Sequence, residues 1–507
     1  MLKNLFRIIA VSTIYFSFKP ASAQLEFNLP ILYNGDMYSQ QQKPDSVLLH
    51  RLYYHQGELK LVLIKDEQKF IVSASSVGEL EFFPPQGLDE FWKIQCLKEE
   101  RYKDLVSFRG GFDWDLRLEL NELSQDVLAY YEKNDALYRD LYLESYLQEL
   151  VYKLYPSTAL TGLPGFVNIR ILKDSSPNAF VFPNGTLIIN TGLLSLIKSE
   201  SELIAVLAHE IAHFVLEHTL KNIRKAEERR KRAEFLSFLA TATVGVIEVG
   251  LASSNENYSP GALTFSTAII ASSVSSSINE ALGMKYSHDQ EYEADIVAKE
   301  MLNFLGLDPN YLTNVLQAIQ NYSVKKGFFT TLQASATHPN ISKRISILGS
   351  AVQRESDLNY TIRFSAINTF NAQIEFQRLN LQDCLELTLL NIEAGIASGT
   401  DYLLAAKSML YLSNDSSSNK IALGYLEKSR AYSFANSIEL EKVRGIFLDR
   451  IGNNGAAKLA FDSYIQNLEK AKTNKEFTWE DYRVIQYLNE EIIWAKQMQR
   501  KLIKLKE

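Results

Sequence analysis

Residues 201–218 read SELIAVLAHEIAHFVLEH, which sets His209 and His213 four apart around Glu210 in an otherwise apolar run. On a helix, residues four apart lie one above the other, so both imidazoles can reach one metal ion through their ring nitrogens. Glu210, one step from the first histidine, points alongside that face, where a water held by the metal would sit. Zinc lowers the pKa of such a water toward about 7, and the glutamate takes its proton as the oxygen attacks a polarised carbonyl. The plainer alternative is a pair of helix-surface histidines with an incidental glutamate. Leu203, Val206, Leu207 and Ile211 weigh against it, because they bury the helix, where three unpaired polar groups would be costly.

Tetrahedral catalytic zinc needs a third protein ligand and one open position. A second helical pattern, YSHDQEYEADIVAKEM at 286–301, offers Glu291 and Asp295 four apart on one face, with Glu293 as a competitor off that face. Further on, SATHPNISKRISIL places His338 before Pro339 and Arg344 six residues later. His218 stands nine residues from His209, about two and a half helical turns, and falls outside the ligand set. With only Cys96 and Cys384 in the chain, a four-cysteine zinc site is excluded.

These groups need elements to hold them. Ser199 with Glu202 three residues on has the form of a capping box and opens the helix that carries the histidines. Before it, FVNIRIL alternates as a strand, and PNAFVFPNGTLIINTGLL gives two short strands around the turn Asn184-Gly185. The pattern is helical from about Phe112 to Tyr155, ending at Pro156. From Gln24 to about Gly111 it favours strands, with LKLVLIKDEQKFIVSAS reading as two strands around Lys65-Asp66-Glu67-Gln68. After Gly349 the chain is helical, and Ala422 aligns on Ala457 and Leu426 on Phe461 at a period of 35 residues. That period suits stacked helix pairs of tetratricopeptide type, which bind peptides or partner proteins on a concave face; a plain helical bundle is the alternative. The expected architecture is an α+β, mainly helical, zincin-like peptidase domain at 112–350. It follows a signal peptide at 1–23 and a β-rich accessory domain at 24–111, and precedes a tetratricopeptide-like domain at 351–507.

A chain of 507 residues reads as two to four domains. Its 46% hydrophobic and 22% charged residues are those of a soluble globular protein, and a net charge of −7 argues against a nucleic-acid partner. The first residues, with Lys3 and Arg7, an apolar run from Ile8 to Phe18, then Ala21-Ser22-Ala23 before Gln24, have the order of a cleavable secretory signal. An uncleaved anchor is the alternative. No cysteine follows the cleavage site, so nothing suggests a lipoprotein. In an oxidising compartment Cys96 and Cys384 can pair; buried free thiols are the plainer reading. Segments 235–252 and 261–278, rich in small apolar residues, read as helices packed on the peptidase domain, with a membrane-inserting hairpin as the alternative.

Taken together, NAFVFPNGTLIINTGLL, SESELIAVLAHEIAHFVLEH, EYEAD and THPNISKRI, in that order over residues 165–350, resemble the HtpX, BepA, Oma and Ste24 group of zinc metallopeptidases of gluzincin type. The resemblance implies that Glu291 is the third zinc ligand beside His209 and His213, that Glu210 is the general base, and that Asp295 supports a ligand histidine through a hydrogen bond. In the periplasmic members with a helical repeat, the histidine corresponding to His338 can occupy the open position on zinc and hold the enzyme latent; a substrate-side or structural role is the alternative. Two departures stand out: His288 replaces the usual arginine, and Asn184 replaces a common glycine while remaining compatible with a turn. The strand pair at 179–190 offers an edge onto which an extended peptide adds by backbone hydrogen bonds. The resemblance implies an exported, periplasmic peptidase acting on misfolded or misassembled envelope proteins, with the outer-membrane assembly machinery as a partner. The alternative is an assembly chaperone that works through its repeat.

Overall fold

The computed structural model describes residues 24–33, 45–77, 80–98, 112–156, 167–227, 284–327, 338, 340–354, 356–432, 438–473 and 482–504. The signal-like segment 1–23 and the apolar stretches 235–252 and 261–278 lie outside the described residues. The chain divides into two compact units. One comprises Met1–Glu122, Tyr155–Phe166 and Val215–Glu217, and the other comprises Leu123–Leu154, Val167–Phe214 and His218–Glu507.

The first unit holds β1 (Gln24–Tyr33), β2 (Asp45–His55), β3 (Glu58–Lys65), β4 (Gln68–Ser73) and β5 (Glu81–Phe82), an antiparallel sheet in the order β4-β3-β2-β1-β5. Alternation along β3 turns Leu59, Leu61 and Leu63 to the core, as the two-residue period of a strand requires. The turn into β4 uses Asp66 and Glu67, at φ 48° and 65°, the two left-handed residues of a tight hairpin. In β2 the register slips between Leu49 and Arg51, so Leu49 and Leu52 are both buried although three apart. The stretch read as β-rich also contains a helix, α1 (Leu88–Leu97), whose Trp92 packs edge-on against Tyr155 at 5.9 Å.

The helical pattern from Phe112 is two helices, α2 (Phe112–Lys133) and α3 (Leu141–Leu154), parted where Asp135 takes φ 52° and Leu137 bridges Leu172. In the second unit β6 (Asn168–Leu172), β7 (Ala179–Val181) and β8 (Thr186–Asn190) form a sheet in the order β6-β8-β7, with β6 parallel and β7 antiparallel to β8. At the turn between β7 and β8, Asn184 Oδ1 accepts the Thr186 N–H at 2.9 Å, which keeps the turn without the usual glycine there. The short α4 (Thr191–Leu196) leads to α5 (Glu200–Val215). Ser199 Oγ accepts the Glu202 N–H at 3.3 Å, but Glu202 returns to the Lys198 N–H at 2.9 Å and to Arg354 at 2.7 Å, so only half of the expected capping box forms. Helix α6 (His218–Glu227) follows, bent from α5 by 46° over residues 200–225. Among the described residues no single helix is long and apolar enough to cross a membrane.

Beyond it come α7 (His288–Phe304), α8 (Tyr311–Lys325) and α9 (Ile341–Leu348). The rest of the described chain is helical: α10 (Leu358–Arg363), α11 (Ser365–Gln377), α12 (Leu381–Glu393), α13 (Gly399–Leu412), α14 (Ser416–Tyr432), α15 (Ile438–Arg450), α16 (Asn454–Thr473) and α17 (Tyr482–Lys504). From α11 onward each helix packs on the next. Ala422 and Leu426 of α14, and Ala457 and Phe461 of α16, are fully buried, so the aligned positions are core positions. Polar links join α11 and α12 to the segment before β7 and to the end of α8: Ser175 Oγ donates to Glu375 Oε1 at 2.6 Å and accepts from Arg378 Nη1 at 2.6 Å, while Lys325 pairs with Asp383 at 2.8 Å and Glu386 at 2.6 Å. Lys326 pairs with Asp383 as well. Cys96 and Cys384 are buried thiols not joined in a disulfide, and burial pushes the Cys384 thiol up to about 11.

Gly192 has no room for a side chain, because a Cβ there would meet Ser175 O at 2.1 Å and Ser175 C at 2.3 Å, both backbone atoms. Gly192→Ala is expected to destabilise the protein by about 1–3 kcal/mol or more in urea denaturation. Gly424→Ala, on the exposed face of α14 with nothing within 4 Å, is expected to stabilise by up to about 1 kcal/mol.

Candidate metal centre

Two buried helices supply the site. Helix α5 carries His209 and His213 one turn apart, which brings their Nε2 atoms within 3.0 Å of each other. Helix α7 begins with Ser287 as N-cap, its hydroxyl accepting the Gln290 N–H while the Gln290 side chain accepts the Ser287 N–H. That cap sets Glu291 in the first turn and Asp295 one turn later, both fully buried. Glu291 Oε1 lies 3.4 Å from His213 Nε2, and its Oε2 lies 3.7 Å from His209 Nε2. Two tetrahedral zinc bonds of about 2.0–2.1 Å hold their ligand atoms roughly 3.3 Å apart, a spacing that the 3.0, 3.4 and 3.7 Å separations bracket.

The structure brings together His209, His213, Glu291 and His338, each offering one ligand atom within 4.8 Å of the others. Asp295 Oδ1 sits 3.0 Å from His209 Nδ1, behind the ring. Glu210 is buried beside the cluster with Oε2 lacking any hydrogen-bond partner. A buried, unpartnered carboxylate oxygen next to converging imidazoles suits a site built for a cation and its water. His288, by contrast, is exposed and bonds Asn340, away from the cluster, so it adds no imidazole near a metal. Glu293 faces away from the ligand atoms and pairs with His218 at 3.0 Å.

Three contacts were not legible in the sequence. Arg344 on α9 bridges the two carboxylates, with Nη1 2.6 Å from Glu291 Oε2, and Nη2 and Nε 2.6 and 2.8 Å from Asp295. Its place in THPNISKRI was visible, but no local rule ties it to residues 49 and 53 positions away. Tyr286 stacks on His213 at 3.7 Å between ring centroids and 15° between planes. His218, left outside the expected ligand set, touches one of the clustered histidines: its Nδ1 lies 2.7 Å from His213 Nδ1.

The electrostatics follow from burial and these partners. Burial pushes the Glu291 carboxyl up, but His338 and Arg344, with hydrogen bonds from His213 and His338, hold it well below the usual carboxylate range. Burial likewise opposes Asp295, and Arg344 with His209 overcomes it, so that carboxyl is also held low. Burial keeps His213 well below the ordinary imidazole value, which leaves the ring neutral. For Glu210 burial dominates and raises the carboxyl, against the pull of His338 and His209. His338 donates toward Glu291 Oε1 at 2.9 Å and toward the Ala179 carbonyl at 3.2 Å. Burial would lower it, but Glu291 and Glu210 push it up to about 9.

The cleft beside His209 and Glu210 is walled by Ala179 of β7, by Leu193 and Val206, and by Leu312, Val315 and Leu316 of α8. The β7 edge therefore borders the site, and His338 caps its first carbonyl.

A capped helix bearing HExxH, a second helix bearing ExxxD and a short flanking sheet define a zincin-like metallopeptidase domain. Residues 142–352 match the sequence profile of Peptidase family M48, and the chain carries a domain of that family. Among curated proteins it is similar to the mitochondrial metalloendopeptidase OMA1 of Schizosaccharomyces pombe, 26% identical over 245 residues, covering 47% of this chain and 63% of that protein. It is also similar to the beta-barrel assembly-enhancing proteases of Yersinia pestis, at 25% identity over 41% of this chain and 38% of that one, and of Escherichia coli, at 25% over 36% and 34%. The chain spans less than two thirds of the length of these relatives.

Arg344→Met is expected to leave two buried carboxylates without their cation and to cost about 3–5 kcal/mol in urea denaturation of the metal-free protein. His288→Ala should leave both stability and zinc content as they are.

Proposed function

We propose that the chain is an exported zinc metalloendopeptidase that hydrolyses misfolded or misassembled envelope proteins. The observation that carries this reading is the convergence of the His209 and His213 Nε2 atoms and the Glu291 carboxylate beside the unpartnered Glu210 Oε2. His209, His213 and Glu291 hold one zinc ion, and Asp295 orients the His209 ring through Nδ1. Zinc bound there supplies Lewis acidity that polarises the scissile carbonyl and acidifies a water. Glu210 takes the proton of that water on its carboxylate and then gives it to the leaving nitrogen, so that its two roles alternate within one turnover. Its burial keeps bulk water from competing for that proton.

The substrate lies extended along β7, pairing with backbone rather than with side chains, which gives low sequence selectivity and suits unfolded chains. His338 is the latch: while its ring holds Glu291 and the Ala179 carbonyl, it covers both the ligand shell and the start of that edge. The helices from α11 onward, read as tetratricopeptide-like from the 35-residue alignment of Ala422 with Ala457, form the surface that meets partners such as the outer-membrane assembly machinery. The names of the bacterial relatives support that duty. Export rests on the signal-like order of residues 1–23. The position of His338 in the site also favours a second reading, an assembly chaperone whose protease is held latent.

With zinc content unchanged, Glu210→Gln is expected to lower casein digestion by about 10²–10⁴-fold, and full rescue of a deletion strain by this variant would favour the chaperone reading. His338→Ala is expected to raise digestion by wild-type standards; unchanged or lower activity with zinc retained would remove the latch.

A further inference from the structure

The two ligand histidines are held from behind in different ways. His209 meets a carboxylate directly, through Asp295. Behind His213 stands a second imidazole, His218, with the two Nδ1 atoms 2.7 Å apart, and only behind that a carboxylate, Glu293 Oε2, 3.0 Å from His218 Nε2. Both rings are fully or nearly fully buried. A contact between two Nδ1 atoms at this distance needs one proton between them and no more. If His213 binds metal through Nε2, its proton is on Nδ1. His218 must then accept at Nδ1 and carry its own proton on Nε2, which is the atom that faces Glu293. Each nitrogen in the row has one role, and the row ends on a carboxylate, the strongest acceptor available.

The neighbours fix this arrangement. Gln290 Nε2 donates to the His218 carbonyl at 3.1 Å, so the first turns of α7 grip residue 218 by its backbone as well as by its ring. Tyr286 lies flat on His213 from the side and leaves the ring one plane in which to aim. We infer that His218 is a positioning residue that sets the tautomer and direction of His213, with Glu293 setting the tautomer of His218 in turn. The inference rests on the metal-centre reading above. Removing such an outer partner lowers metal affinity by about 10–100-fold.

The test uses the full chain, with zinc as the probe, in competition with a chromogenic chelator at one pH. His218→Leu fills the space without an acceptor and is expected to lose zinc affinity about 10–100-fold. His218→Asn, whose Oδ1 falls near the place of Nδ1, should recover most of the loss. Nitrogen-15 spectra of the histidine-labelled, zinc-loaded wild type should show His218 bare at Nδ1 and protonated at Nε2. His218→Leu binding zinc as tightly as wild type, or His218 protonated at Nδ1, overturns the inference. The spectrum is taken on the unaltered chain, so it decides even where the leucine variant does not fold. Failure of the wild type itself to bind zinc would instead overturn the metal-centre reading, and the inference with it.

Discussion

Everything in the site leans on one guanidinium. Glu291 and Asp295 stand a turn apart on α7 with no access to water, and two carboxylates in that position, each costing several kcal/mol to desolvate, do not stay ionised unaided. Arg344 supplies the charge, one arm on each. Because Asp295 also reaches His209, the same ion pairs join α9 to α7 and α7 to α5. The geometry of the histidines is thus an outcome of a buried charge balance as much as of helix packing.

The segment that brings Arg344 also brings His338, six residues earlier. One group bridges the two carboxylates, the other bonds Glu291 and the Ala179 carbonyl, and both line the cleft. The apolar walls contributed by α8 face the same opening. A displacement of this segment large enough to free the β7 edge would pull on the pair that fixes α7, so access and integrity are tied to one short stretch of chain.

Much of this was legible locally. The β3–β4 hairpin could be read because alternation and its turn are written in adjacent residues, and α5 because Ser199 marks its start and an apolar run follows. Glu291 with Asp295 could be read as one helix face because four-residue spacing is a property of the helix alone. Arg344 could not, since its partners are far along the chain. His218 was judged by the geometry of an unbroken helix. The helix breaks after Val215, Glu217 takes φ 54°, and the chain bends by 46°, which returns His218 to the ring of His213 while leaving it outside the converging group of His209, His213, Glu291 and His338. The helix α1 went unread because a single ten-residue amphipathic stretch among strands carries little signal of its own.

The links from α11 and α12 to Ser175, Lys325 and Lys326 give the molecule a seam rather than a joint. Ser175 precedes β7 by four residues and its backbone is the surface against which Gly192 is pressed, while Lys325 and its C-cap Lys326 close the helix that forms another wall of the cleft. The β7 side is thereby linked to the end of α11, and the α8 side to α11 and α12. Cutting the chain near residue 350 would put Lys325 and Lys326 on one fragment and Glu375, Asp383 and Glu386 on the other, so the charge balance along this seam is complete only in the uncut chain.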